Sequence, residues 1–212
     1  MAEKNTAGRG RFIVFEGIDG CGKTTQVERL ISYITEETGR RCLSEREPDS
    51  RDIVGAIIRT APYGSVKITP AAMAYLHVAD RLEHIAYMTP LLGSGENIVC
   101  DRYYLSNMAY NATEDLSVEE IYALNAPCVK KLPPDLVIFL DIDPEVTARR
   151  RHAGRSDEEI YDAMEKQISI RNNYKKALAI AEKDGVRVAV INADQSIDKV
   201  SADIIAAYKA AF

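Results

Sequence analysis

The stretch Phe12-Ile-Val-Phe-Glu-Gly-Ile-Asp-Gly-Cys-Gly-Lys-Thr-Thr25 decides the fold. Its apolar opening reads as a buried strand, and Gly17 begins a G-x-x-x-x-G-K-T phosphate loop. Gly17, Gly20 and Gly22 admit backbone angles closed to residues with a Cβ, so successive N–H groups can converge on one anion. Lys23 adds a charge for the β- and γ-phosphates. Thr24 opens a helix whose N-terminal dipole favours anions, and its hydroxyl suits Mg²⁺. Strand, loop and helix in this order imply a bound nucleoside triphosphate cradled by Gly17, Ile18, Asp19, Gly20, Cys21, Gly22, Lys23, Thr24 and Thr25.

Around this stretch the chain is ordinary globular material. Its 212 residues, 46% hydrophobic and 28% charged, suit one sizeable core. A formal charge of −5 gives no general attraction to nucleic acid or to an anionic membrane. Cys21, Cys42, Cys100 and Cys128 are scattered without C-x-x-C spacing, which argues against zinc and for reduced thiols in the cytoplasm. Residues 1–10 are polar and lack the apolar region of a signal peptide, so a flexible leader is expected there. No later run reaches the length of a membrane span. Residues 11–212 are expected to form a single domain.

Strand-like and helical stretches alternate along that domain. Thr24–Thr38 carries an apolar stripe at Val27, Leu30, Ile31 and Ile34, ended by Gly39. Arg41–Glu45 is a weaker strand, and helices are predicted over Asp52–Thr60 and Pro70–Leu92. Further strands are predicted at Asn97–Asp101, Leu136–Asp141 and Val186–Ile191, the last two apolar enough to be covered on both faces. Five strands alternating with helices predict a three-layer α/β fold, a parallel sheet with helices on both sides. Ligands then lie beyond the carboxyl ends of the strands. Glu16, Arg46-Glu-Pro48, Asp101-Arg-Tyr103 and Asp141 all follow strands, so Arg and Asp side chains gather on the rim that holds the phosphate loop. A second anionic substrate beside the nucleotide is implied.

The combination of Phe15–Thr25, Arg46-Glu-Pro48, Ala79-Asp-Arg81, Asp101-Arg-Tyr103 with Ser106, Asn107 and Tyr110, and the Arg-rich segment from Arg149 to Arg155 resembles thymidylate kinase over nearly the whole chain. The resemblance implies a P-loop NTPase fold with an Arg-rich lid near residues 149–158, and transfer of the γ-phosphoryl of ATP to dTMP with Mg²⁺. It implies that Asp19 bonds the sugar 3′-hydroxyl, that Arg46 and Arg102 clamp the acceptor phosphate, and that Arg81 and Asn107 read thymine O4 and N3. Tyr110 would exclude a 2′-hydroxyl, Asp101 would organise Arg102 and the magnesium waters together with Thr24, and Lys23 with Arg150 or Arg155 would neutralise the transferred phosphoryl. A homodimer is implied as well, for which Pro70–Leu92 offers a face.

This chain departs from the family pattern in three places. Pro48 is followed by Asp49-Ser50-Arg51, His77 stands where a Phe commonly packs on thymine, and Asp157-Glu158 replaces a frequent Asp-Arg pair in the lid. A His at that position can stack, and it titrates near neutrality when unperturbed. The alternatives are a kinase for dUMP, UMP or a deoxynucleoside, and a nucleotide-driven switch or binding module. Asp52-Ile-Val-Gly55 fits the D-x-x-G element of a switch, but no N-K-x-D guanine reader occurs.

Overall fold

The computed structural model describes residues 8–64, 67–150 and 157–212. Five parallel strands, β1 (Phe12–Glu16), β2 (Cys42–Arg46), β3 (Asn97–Asp101), β4 (Leu136–Asp141) and β5 (Val188–Asn192), are arranged in the order β2-β3-β1-β4-β5. Helix α1 (Lys23–Thr38) packs with α8 (Ile197–Ala211) on one side of the sheet. A second group on the other side comprises α3 (Pro70–Gly93), α4 (Tyr104–Asn111), α5 (Val118–Lys131) and α7 (Asp157–Lys183). Short helices α2 (Ile53–Thr60) and α6 (Pro144–Arg150) flank α3 and α7. The architecture is the expected three-layer α/β fold. Among the described residues no helix is long and apolar enough to cross a membrane.

Strand character follows position in the sheet. All five residues of β1 and of β3 are buried, as are Leu136 to Leu140 of β4, because helices cover both faces of these three central strands. The outer strands differ. β5 was expected to be covered on both faces and instead lies at the edge, where Val190 is 59% exposed. Its apolar run reflects β-propensity at a half-covered edge, where packing on one face suffices. β2 is the other edge, which accounts for its weak sequence signal.

Helix ends follow local chemistry. Gly39 closes α1 in the left-handed region at φ 64°, donating its N–H to Thr35 O at 3.0 Å. Thr69 caps α3 by accepting the Ala72 N–H, with Pro70 at the first helical position. Ser117 and Glu120 form a reciprocal capping box at the start of α5. Helices α4 to α8 are additions to the elements predicted from sequence. Of the expected leader, residues 1–7 lie outside the described residues, whereas Arg9 and Gly10 belong to the fold. Arg9 pairs with Asp135 at 2.7 Å, and the Gly10 N–H donates to Leu92 O at 2.8 Å.

The chain moves from β1 to β2 and β3 on one side and returns to β4 and β5 on the other, so the direction of winding reverses at β1. A crevice opens at that reversal, beyond the carboxyl end of β1. The 17–25 loop occupies it. Beside the crevice, the segment after β2 is held against α2 and α3: the Asp49 N–H donates to both Asp80 oxygens at 3.1 and 3.3 Å, and Arg59 Nε donates to Pro48 O at 3.0 Å. Gly55 makes this approach possible, since a Cβ there would fall 1.6 Å from Asp49 O and 2.7 Å from Asp80 Oδ1. The D-x-x-G tetrapeptide is therefore a packing feature, with Asp52 capping α2 by accepting the Gly55 N–H at 2.8 Å. Gly55→Ala should force the segment off α3 and lower the melting temperature by roughly 3 to 10 °C, as overpacking in a chain of this size does. Calorimetry showing an unchanged transition would contradict the contact.

Candidate active site

Residues 17–25 bend away from the end of β1 as the strand–loop–helix pattern requires. Gly17 sits at φ 146° with no room for a side chain, a Cβ falling 2.8 Å from Leu140 O. Gly20 and Gly22 also have positive φ, and Gly22 leads directly into α1. Lys23 is 7% exposed, more enclosed than a residue at an open rim. Its ammonium folds onto the loop, donating to Gly17 O at 2.9 Å and Ile18 O at 3.2 Å. Those carbonyls hold the charge beside the cradle. Thr24 is exposed at the start of the helix.

Next to the loop, between α3 and α4, lies a cavity of about 240 Å³ lined by Asp19, Glu47, Pro48, His77, Arg81, Arg102, Tyr103, Ser106 and Tyr110. Arg102 is its central cation. Its backbone has φ 76°, unusual for a residue with a Cβ, and its N–H donates to Phe15 O at 2.9 Å. Its side chain is 12% exposed. Nη2 pairs with Asp19 at 2.5 Å and donates to the Tyr110 hydroxyl at 3.0 Å, while the guanidinium lies 4.7 Å from the Tyr110 ring centroid. Nη1 donates to Gly17 O, Ser106 Oγ and the Tyr174 hydroxyl at 3.3, 3.1 and 3.1 Å.

Beneath Arg102 lies Glu16, with no exposure. Oε1 accepts the Tyr103 and Ser106 N–H groups at 2.9 and 3.2 Å, and Oε2 accepts the Ser106 and Tyr174 hydroxyls at 2.5 and 3.0 Å. Burial raises its pKa, and the Ser106 bond, the Arg102 charge and the remaining donors offset part of that rise.

The far wall is built from α3. His77 and Arg81, one turn apart, both reach the cavity. Burial first, then the charges of Arg81 and Arg102, push His77 down to about 3, so it is neutral at physiological pH despite the ordinary range of its residue type. Arg81 is 1% exposed and pairs with Glu47 at 2.6 Å, with Nη1 donating to Asn125 Oδ1 at 2.5 Å. Its Nε–H is buried without an acceptor among the described residues.

Of the residues expected at this site, the structure brings Asp19, His77, Arg81, Arg102 and Tyr110 to one cavity beside the loop. Three others lie elsewhere. Asn107 is buried in the α3/α4 interface, donating to Ala74 O at 3.1 Å and accepting from Asn111 Nδ2 at 2.9 Å, so both ends of its amide are engaged within the protein. Arg46 is 56% exposed at the rim and does not line the cavity. Asp101 approaches Arg46 Nε at 3.6 Å instead of organising Arg102, since its strand register sets it opposite Arg46. Its Oδ1 is buried without a hydrogen-bond partner. Arg155 and the side chain of Arg150 lie outside the described residues. Glu16, Glu47, Ser106 and Tyr174 complete the site without having been singled out for a role; a carboxylate closing a wholly apolar strand was the available signal for Glu16.

Comparison with known proteins bears on this geometry. Residues 15–204 match a family model described as Thymidylate kinase. The chain is similar to a thymidylate kinase of Bifidobacterium longum (strain DJO10A), 39% identical over 203 residues that cover 92% of this chain and 95% of the relative. It is 34% identical to a probable thymidylate kinase of Pyrococcus abyssi over 95% of this chain and 97% of that one. A thymidylate kinase of Dictyostelium discoideum is 33% identical over 99% of this chain and 90% of its own length.

Behind Arg81 a second charged network fixes the cavity wall. His84 lies 3.0 Å from Glu45 and 3.3 Å from Glu47, and Arg51 bridges Glu45 and Asp49 at 2.5 and 2.8 Å. Burial alone would lower the His84 pKa, but bonds and charge from Glu45 and Glu47 outweigh it and carry it up to about 9. An unfolded His titrates near 6.5. The folded state therefore binds the proton more tightly, a stabilisation complete below about pH 6.5 and lost as pH rises through about 9. Asp80, raised from 3.8 to about 7 chiefly by burial, loses its contribution in a lower window. The melting temperature should fall between pH 6.5 and 9 more steeply in the parent than in His84→Gln, and parallel curves would contradict a charged His84.

Proposed function

The chain belongs to the thymidylate kinase family, and we propose the following route by which it phosphorylates dTMP to dTDP: the phosphates of ATP lie in the 17–25 loop, dTMP enters the cavity between α3 and α4, and the γ-phosphoryl passes between them in line. Arg102 carries this reading, as a largely enclosed cation, 12% exposed, whose Nη2 lies at the cavity beside the loop. On arrival of the acceptor phosphate, Arg102 exchanges part of its Asp19 pairing for phosphate oxygens, and Asp19 takes the sugar 3′-hydroxyl. Arg46, at the exposed rim, joins from the side. Lys23 leaves the loop carbonyls for the β- and γ-phosphates, and Arg150 or Arg155 supplies the remaining charge at the transferred group. Little covalent chemistry is required, so alignment and neutralisation carry the rate.

Base choice falls to the α3 wall. The unpaired Arg81 Nε–H is a donor for a pyrimidine carbonyl, and neutral His77 offers a flat ring for stacking. Tyr110, held by Arg102, closes the space beside the sugar where a ribose would need room for its 2′-hydroxyl.

The residues present fit Mg²⁺: Asp101 Oδ1 has no partner within the protein, and Thr24 offers a hydroxyl at the start of α1, an all-oxygen set suited to a hard cation and its waters. Held there, a magnesium ion would supply charge neutralisation for the phosphates. Four free cysteines suit a reducing compartment, and we assign the enzyme to the cytoplasm. On α3, Ala72, Tyr75, Ala79, Ala86 and Pro90 form an exposed apolar row, Tyr75 being 60% exposed, and we assign this face to a homodimer.

Coupled ADP release with ATP·Mg²⁺ should be fastest on dTMP and slow on UMP and thymidine. Lys23→Ala and Arg102→Ala should each lower kcat by about a hundredfold or more; Arg102→Ala, which takes the counter-ion from buried Glu16, should lower the melting temperature as well, and Lys23→Ala should lower it less. Normal turnover in either variant, or comparable rates on UMP, would overturn the assignment. Tyr75→Arg should convert the sedimentation profile to that of a monomer.

A further inference from the structure

Tyr174 lies on α7, far along the chain from the phosphate loop and the Asp101-Arg-Tyr103 turn, and is fully buried. Its ring is fixed by Phe139, with centroids 5.1 Å apart, and by Tyr110, edge-on at 6.2 Å. Its hydroxyl meets Glu16 Oε2 at 3.0 Å, Ser106 Oγ at 2.8 Å, Arg102 Nη1 at 3.1 Å and Gly17 O at 3.4 Å. A phenol has one proton to give and lone pairs to receive with. Donating to Glu16 and accepting from Arg102 satisfies it, because Arg102 can only donate and an ionised Glu16 can only accept. Burial pushes the phenol well above its ordinary pKa, so the proton stays in place.

This hydroxyl divides the labour within the Arg102 guanidinium. Nη1 is tied to three protein oxygens, those of Gly17, Ser106 and Tyr174, while Nη2 faces Asp19 and Tyr110 at the cavity. Without its α7 partner, Nη1 would keep two longer or shared bonds, and the guanidinium could swing within a cavity of about 240 Å³. We propose that Tyr174 is a positioning residue for phosphoryl transfer: by bridging Glu16 and Arg102 from α7, it fixes the guanidinium so that Nη2 is presented to the acceptor phosphate. The assignment rests on the acceptor-phosphate reading of the cavity given above.

A role of this kind acts on the phosphate end of the acceptor and on nothing else. Tyr174→Phe keeps the ring packing and removes only the hydroxyl. It should weaken dTMP binding and lower kcat/KM for dTMP by about tenfold, the weight of one hydrogen bond to a charged group. The affinity for thymidine, which lacks the phosphate, and the KM for ATP should not change. In an Arg102→Ala background the same substitution should add nothing, since its effect passes through that guanidinium. Equal dTMP affinity and turnover in Tyr174→Phe, or losses that simply add in the double variant, would overturn the proposal. Should Tyr174→Phe fail to fold, Ser106→Ala removes another Nη1 acceptor and takes its place in the same cycle: non-additive loss with Arg102→Ala supports the positioning role, and additive loss overturns it. A parent protein that binds neither dTMP nor thymidine would instead overturn the functional reading beneath it, which separates the two failures.

Discussion

A carboxylate without any contact with water sits at the end of the central strand, and the site is assembled around it. Glu16 accepts four donors, one backbone amide from the turn after β3, one from the first turn of α4, and two hydroxyls from α4 and α7. Each donor comes from an element that must approach β1 closely for the bond to form. Burying such a charge is costly unless its lone pairs are satisfied and a counter-ion is near. The counter-ion is Arg102, and its left-handed backbone, worth roughly 1–3 kcal/mol of strain in a residue with a Cβ, turns the chain so that the guanidinium folds back over Glu16. Strained turn, buried acid and cavity-facing cation are one arrangement seen from three atoms.

The opposite wall follows the same logic with different residues. Arg81, Glu47, His84, Glu45, Arg51 and Asp49 alternate in sign through the α3 side of the cavity. Buried ion pairs are poor sources of net stability, since desolvation offsets most of the attraction. Their value here is geometric. Planar guanidinium groups locked by carboxylates define where Arg81 ends and how far Pro48 stands from α3, and these set the width of the cavity. Apolar side chains of equal volume would pack as well but would leave no donor at the wall.

How much of this was legible in the sequence depended on the range of the contact. The phosphate loop is local, so Gly17, Lys23 and Thr24 could be read from spacing alone. β1, β3 and β4 were legible because central strands must be apolar on both faces; β5 slipped by two residues at its start because its edge position tolerates the exposed Val190. His77 and Arg81 share a helix face by their spacing of four. The partners of Asn107 were not legible because spacing gives the face of α4 and not the direction of an amide, which Ala74 and Asn111 determine. Tyr174 was invisible, since its bond to Glu16 joins residues 158 apart in sequence and no local pattern encodes such a meeting.

Charge balance explains why a chain of net charge −5 can still select an anion. The cations of the site face internal oxygens: Lys23 the carbonyls of Gly17 and Ile18, Arg102 the carboxylate of Asp19, Arg81 that of Glu47, Arg46 that of Asp101. Little net positive field then remains to draw nucleic acid or anionic surfaces at a distance. A phosphate gains only if it can replace several of these oxygens at once, which needs the right size and the right place. Asp19 is half exposed at 50%, so solvent weakens its pairing with Arg102. The cations are thus held in place by internal oxygens, and the cost of ordering them has been met during folding.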